Sequence, residues 1–222
     1  MSWTANYFPD HIEVERENRP YASYSLLPPK TCVKCSHPLD SGVCTYCGDL
    51  DNFDRLYALG IYHSAHRDGD LSRHILSLKN DSSYAVPLGL ALSLVVRNRY
   101  PELMGADTLV PVPIHDDKLD GKGFNQAYQI ARQLSIRLGT PVCDCLIQIK
   151  NYSQHDSNRS TRFQNVENAF QLDPRASSLV NDRYLLVIDD IMTSGATINE
   201  CARVLKKNGA RKIDGLVLGR TG

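Results

Sequence analysis

Residues 183–200 read RYLLVIDDIMTSGATINE, and no other stretch limits the fold so tightly. Leu185 to Ile188 are apolar without alternation, which predicts a strand covered on both faces, as in a parallel sheet. The run stops at Asp189 and Asp190, then passes through Thr193, Ser194, Gly195, Ala196 and Thr197. From Ala196 onward, Ile198, Cys201, Ala202 and Leu205 fall on one stripe of a helix. Lys206 and Lys207 suit its C-terminal dipole, and Gly209 ends it. A strand feeding a helix through a short loop is half of an α/β crossover. In an open parallel sheet, the space beyond the strands' carboxyl ends is where ligands sit.

The rest of the chain repeats the alternation. LYALGIYH (56–63), DTLVPVP (107–113) and KIDGLVLG (212–219) predict strands. DLSRHILSLKN (70–80), VPLGLALSLVVRNRY (86–100) and GFNQAYQIARQLSIRLG (123–139) predict helices. Pro111 and Pro113 lack the donor a sheet ladder needs, so they should mark the end of their strand. Residues 51–222 are therefore expected to form one α/β domain, a parallel sheet flanked by helices. KNYSQHDSNRSTRFQN (150–165) has no periodicity and reads as a long polar loop, the kind that is usually mobile and functional. Residues 1–29, polar and aromatic, read as a tail ending at Pro28 and Pro29.

Residues 30–50 form a separate small unit. Cys32-x-x-Cys35, eight residues, then Cys44-x-x-Cys47-Gly48 is the spacing of two zinc knuckles sharing one tetrahedral ion. Four cysteines leave no open position, so the expected Zn2+ is structural, and a unit this small has no other core. Two disulfides or a redox dithiol are the competing readings; His37 is a bystander. The chain has seven cysteines. An odd number, with no leader-like pattern in MSWTANYFPD, predicts a reducing, cytoplasmic setting. Cys143, Cys145 and Cys201 read as small buried apolar residues; His63, His66 and His74 lack ligand spacing. No apolar run reaches the ~18 residues that span a bilayer, so no membrane span is expected. Formal net charge is zero, so nucleic-acid binding would need a local patch.

The opening stretch also predicts chemistry. Gly195 lets backbone approach a ligand, Ser194 and Thr197 supply hydroxyls, and the helix start points free N–H groups at the same spot, which together make a phosphate cup. Two carboxylates would repel a phosphate, so Asp189 and Asp190 must meet another part of the ligand; vicinal sugar hydroxyls fit. A second segment, VPVPIHDDKLDGKGFNQA (110–127), sets Lys118 and Lys122 around Gly121 and Gly123. These cations either hold a second anion or decorate a solvated turn.

LLVI-DD-IM-TSGAT resembles the 5-phosphoribosyl-1-pyrophosphate (PRPP) motif of type I phosphoribosyltransferases, with Ser194 where a second threonine is usual. The whole arrangement resembles the ComF competence family, also represented by GntX-type proteins, in which a four-cysteine zinc ribbon precedes a phosphoribosyltransferase domain. Its Val-Pro-Val-Pro and Arg-Gly-Phe-Asn-Gln-Ala hallmarks appear as residues 110–113 and 122–127, with Lys122 for the arginine; lysine keeps the charge without the fork. A third hallmark matches Gln154, Arg162, Asn165, Val166 and Ala169-Phe170, with Lys150 nearby. In related amidotransferases this is a mobile catalytic loop.

The resemblance implies a glycosyltransferase reaction, displacement of pyrophosphate from PRPP by an unidentified acceptor base, with Mg2+ carried by PRPP. It implies that Thr193, Ser194, Gly195, Ala196 and Thr197 hold the 5-phosphate and that Asp189 and Asp190 hold the ribose. Val112 and Pro113, with Lys118 or Lys122, would face pyrophosphate, and Arg162 and Lys150 would arrive with the loop. Lys79 matches a further basic position of the family. A non-catalytic PRPP sensor, or a DNA-uptake partner working with a helicase or single-stranded DNA, stays open beside the enzyme, as does a homodimer.

Overall fold

The computed structural model describes residues 24, 26–28, 30–39, 42–63, 70–151 and 159–221. Most of the expected tail, His66, Gln154 and the side chains of Lys118 and Lys122 lie outside this description. Among the described residues the strands are β1 (Arg55–Tyr62), β2 (Thr108–Pro111), β3 (Leu146–Gln148), β4 (Phe170–Leu172), β5 (Tyr184–Met192) and β6 (Lys212–Thr221). The α-helices are α1 (Asp70–Leu78), α2 (Ala85–Arg99), α3 (Asp116–Lys122), α4 (Gln126–Leu138), α5 (Arg159–Val166), α6 (Ser177–Val180) and α7 (Ala196–Lys207). Four strands form a parallel sheet in the order β1-β6-β5-β2, and β3 and β4 make a separate antiparallel pair.

The apolar run of β5 is buried on both faces, as its lack of alternation requires. On one face Leu186 and Ile188 pack with Leu71 and Ile75 of α1, Leu88 and Leu92 of α2, and Ile130 and Leu134 of α4. On the other, Leu185 and Val187 pack with Ile198, Cys201, Ala202 and Leu205 of α7. The chain thus has a layered α/β architecture, a parallel sheet flanked by helices on both faces. No helix among the described residues is long and apolar enough to cross a membrane.

Strand β2 ends at Pro111, as a residue without an N–H donor dictates. Helix α4 starts three residues later than its periodicity predicts, because Asn125 is extended and its side chain accepts from the Ala127 and Tyr128 amides at 2.9 and 3.4 Å. Gly139, at φ 78°, closes it. Residues 116–122, expected as a flexible turn, are helical. His115 Nδ1 accepts from Asp117 N at 3.3 Å to start α3, and left-handed Gly123 stops it. The polar stretch 150–165 contains all but the last residue of α5, whose amphipathic face is too short to register as a period. Strand β5 runs through the acid pair to Met192, pairing Asp189 with Val217 of β6.

The cysteine unit lies against β1, an outer strand of the sheet. Lys34 O accepts from Leu56 N at 2.8 Å, and Ser36 Oγ donates to Leu56 O at 2.6 Å. Leu26 bridges Gly60, and Leu27 N donates to Leu59 O at 3.4 Å. An open strand edge is thereby covered. Cys32, Cys35 and Leu50 share one buried cluster with Val187, Met192 and Ile198.

Candidate functional site

At the carboxyl end of the sheet a cleft of about 430 Å3 opens, within the size range of small-molecule sites. Its floor is Asp189 to Thr193 of β5 and the loop that follows, continued by Ser194 to Ile198. Val112 and Pro113 line it beyond β2, Asn125 and Gln126 at the start of α4, and Arg162, Asn165 and Val166 on α5. Tyr62, Lys79, Ile114, Ala127 and Gln148 complete it.

The loop geometry follows from its residues. Gly195 caps α7 at φ 83°, a left-handed conformation that side-chain-bearing residues rarely adopt. A Cβ there would also lie 2.6 Å from Met192 Cε and 3.0 Å from Leu50 Cδ2. The glycine is thus demanded from behind, by Leu50 of the cysteine unit, as well as by the turn. Ser194 Oγ accepts from Ala196 N at 3.3 Å. Ala196, Thr197 and Ile198 of the first turn of α7 line the cleft, and a helix start favours an anion there.

Asp189 and Asp190 stand side by side on the floor. Asp189 Oδ1 accepts from Asp190 N at 2.9 Å, and Asp190 Oδ1 from Ile191 N at 2.7 Å. Burial, and then the charge of Asp190, push the Asp189 carboxyl well above the usual carboxylate range; Lys79 pulls the other way. Arg162 Nε is buried without a hydrogen-bond partner among the described residues. An orphaned guanidinium N–H on a cleft wall is a charged donor left for an anion to accept from. Asn125 Nδ2 donates to Val112 O at 3.0 Å, tying α4 to the loop after β2.

Asp189, Asp190, Val112, Pro113, Thr193 to Thr197 and Arg162 therefore converge on one cleft. Lys79, at the basic position the family resemblance marks, joins them there. Lys150 is not among the lining residues, and its ammonium donates to Glu167 O at 2.9 Å. Tyr62, Asn125, Gln126 and Gln148 were not foreseen as cleft residues. The Asn-Gln pair before an apolar stripe offered a signal as an N-cap; Gln148, on a three-residue strand, offered none.

Across Leu50 lies the second candidate centre. The Sγ atoms of Cys32, Cys35, Cys44 and Cys47 all fall within 4.8 Å of one another. Cys32–Cys47 and Cys35–Cys44 are each 3.7 Å apart, without a disulfide. Four sulfurs at ~2.3 Å from a tetrahedral ion have edges of roughly 3.8 Å, so the donor set fits a metal such as zinc. The amides of Lys34 and Tyr46 donate to Cys32 and Cys44 Sγ at 3.4 Å each, which favours thiolates. Burial works to raise the Cys32 thiol, but the amides of Cys35 and Lys34 and the neighbouring sulfurs outweigh it and bring it below its ordinary value. Cys35, more deeply buried, is pushed up, and burial pushes Cys47 up to about 11.

The phosphoribosyl transferase domain family matches residues 119–219. Competence protein F of Haemophilus influenzae is 30% identical over 178 residues, covering 76% of this chain and 75% of that protein. DNA utilization protein YhgH of Escherichia coli K12 is 29% identical over 152 residues, 67% of this chain and 65% of that one. Competence protein ComFC of Bacillus subtilis is 31% identical over 101 residues, covering 46% and 39% respectively.

Proposed function

The chain belongs to the competence protein F family and carries a phosphoribosyl transferase domain, and from that premise we propose that its cleft binds PRPP and transfers the phosphoribosyl group to an acceptor base. The observation that carries the reading is one cleft holding an anion-seeking helix start, a carboxylate pair and the orphaned Arg162 nitrogen. The loop 193–197 takes the 5-phosphate on its amides and hydroxyls. Asp189 and Asp190 accept hydrogen bonds from the ribose hydroxyls. The pyrophosphate extends toward Val112 and Pro113, with Arg162 beside it, and Mg2+ enters as part of the polyphosphate substrate.

In the reaction the bond from C1 to pyrophosphate oxygen breaks, and the acceptor's lone pair bonds C1. Negative charge grows on the leaving group, so a fixed guanidinium that gains its partner only then lowers the barrier. The protein's remaining work is positioning. Residues 30–50 are read as a zinc ribbon with a structural ion, and 51–222 as the transferase domain. The names of the relatives support service in competence or DNA utilization.

One observation favours a second reading, PRPP sensing without turnover: the Lys150 ammonium is engaged by Glu167 O rather than facing the cleft. Titration calorimetry with Mg·PRPP tests the common ground. One hydrogen bond to a neutral carboxyl at about 0.5–1.5 kcal/mol and one to a charged carboxylate at about 1.5–3 kcal/mol predict that Asp189→Asn with Asp190→Asn weakens binding at least ~30-fold. Unchanged affinity in that variant removes the ribose assignment. Pyrophosphate release with some member of a panel of bases supports transfer; binding without release supports the sensor.

A further inference from the structure

Arg220 has the largest side chain among the fully buried described residues, only 1% exposed. It sits near the C-terminal end of β6, opposite Met192 of β5 and Ile61 of β1. No carboxylate forms an ion pair with it among the described residues. Its Nε donates to Cys35 O at 3.1 Å, and its Nη1 to Thr193 O and Thr221 O at 3.0 Å each. Nη2 lies 3.4 Å from His37 Nδ1, and the guanidinium stands 5.3 Å from the Tyr46 ring centroid. One side chain thus grips the first cysteine knuckle, a ring from the second, and the residue that opens the anion loop.

The same two regions meet twice more. Leu50 packs behind Gly195, and Asn52 N donates to Asn199 Oδ1 in the first turn of α7 at 3.1 Å. A buried cation is costly unless compensated. Carbonyl dipoles compensate Arg220. Metal on the four sulfurs would fix the Cys35 turn whose carbonyl Arg220 holds, and through the same guanidinium the Thr193 carbonyl at the start of the loop.

We propose that Arg220 is a positioning residue that couples the two centres: metal in the four-cysteine cluster fixes the 193–197 loop, and an anion in the loop tightens the hold on metal. The proposal rests on the anion-binding reading of that loop. Coupling between sites is reciprocal and typically amounts to ~5–150-fold.

The test uses the full zinc-loaded chain, challenged with a chromophoric chelator with and without saturating Mg·PRPP. Zinc release is expected to slow at least ~5-fold when PRPP is bound. Hydrogen exchange of residues 193–198 should rise when metal is removed. Arg220→Lys, which keeps the charge and loses the fork, should bring the PRPP effect on release close to onefold. Asn199→Ala cuts a different strut without touching a charge and should diminish the effect even if the Arg220 variant does not fold. PRPP binding with unchanged zinc release overturns the coupling alone, as does full slowing in both variants. Absence of PRPP binding to the loaded chain overturns the anion site and the coupling with it.

Discussion

Asp189 is held above the ordinary carboxylate range first by burial and then by the charge of Asp190. Its folded state therefore keeps a proton that the unfolded chain gives up. Below the usual carboxylate range both states are protonated and nothing is lost. As pH rises the unfolded state ionises first, and stability falls until the folded group ionises too. Asp189→Asn removes that loss. Its melting temperature should match that of the unsubstituted protein at acid pH, where both states are protonated, and exceed it at neutral pH, with the gap opening as pH rises through the ordinary carboxylate range. A gap that stays flat with pH refutes the account. Gly195 gives a second prediction at this scale. Gly195→Ala meets both a left-handed backbone and the Met192 and Leu50 side chains, so a loss of about 1–3 kcal/mol is expected in thermal melts. Adding Leu50→Ala relieves the Leu50 contacts but neither Met192 nor the backbone, so the double variant should not recover relative to Leu50→Ala alone.

Helix α4 connects scaffold to cleft through its cap. Asn125 accepts from two amides of its own helix and donates to Val112 O. Asn125→Ala should cost about 1–2 kcal/mol from the lost cap. Asn125→Asp keeps the cap but sets a carboxylate against the Val112 carbonyl. It should retain most of the melting temperature while weakening Mg·PRPP binding measured by calorimetry; equal affinity would separate the cap from the cleft. Asn125 also marks what the sequence made legible. Long stripes such as Ile130, Ala131 and Leu134 announce their helix, and the unbroken Leu185 to Ile188 announces a buried strand. The acid pair with Thr193 to Thr197, Val112, Pro113 and Arg162 could be picked out because each follows a recognisable strand end or motif. The short elements could not. Three-residue strands such as 146–148 have no alternation to detect, and α3 is only seven residues of mostly charged chain. Their positions are set by tertiary contact, and so are Gln148 as a cleft residue and the separate engagement of Lys150.

At the scale of the molecule, the cysteine unit and the sheet share one apolar cluster. Cys32, Cys35 and Leu50 pack in the same buried group as Met192, Ile198 and Cys201. Arg159 of α5 reaches Tyr46 O at 2.5 Å and Asp49 at 3.4 Å, so the helix over the cleft leans on the unit from the other side. A domain joined only by a linker melts on its own, because few contacts carry its unfolding to its neighbour. Here the contacts are apolar and buried, and loosening the knuckles exposes the back of the anion loop and the outer strand β1. Calorimetry of the metal-loaded chain should therefore show one transition. Removing metal should lower that transition by roughly 10 °C, about 3–5 kcal/mol for a chain of this length, a fraction of what metal supplies to an isolated zinc finger. The reason for the smaller figure is that the sheet gives the cysteine unit a partial core. Two resolved transitions, with the upper one unmoved by chelation, would mean that the shared cluster does not carry cooperativity between the cysteines and the cleft.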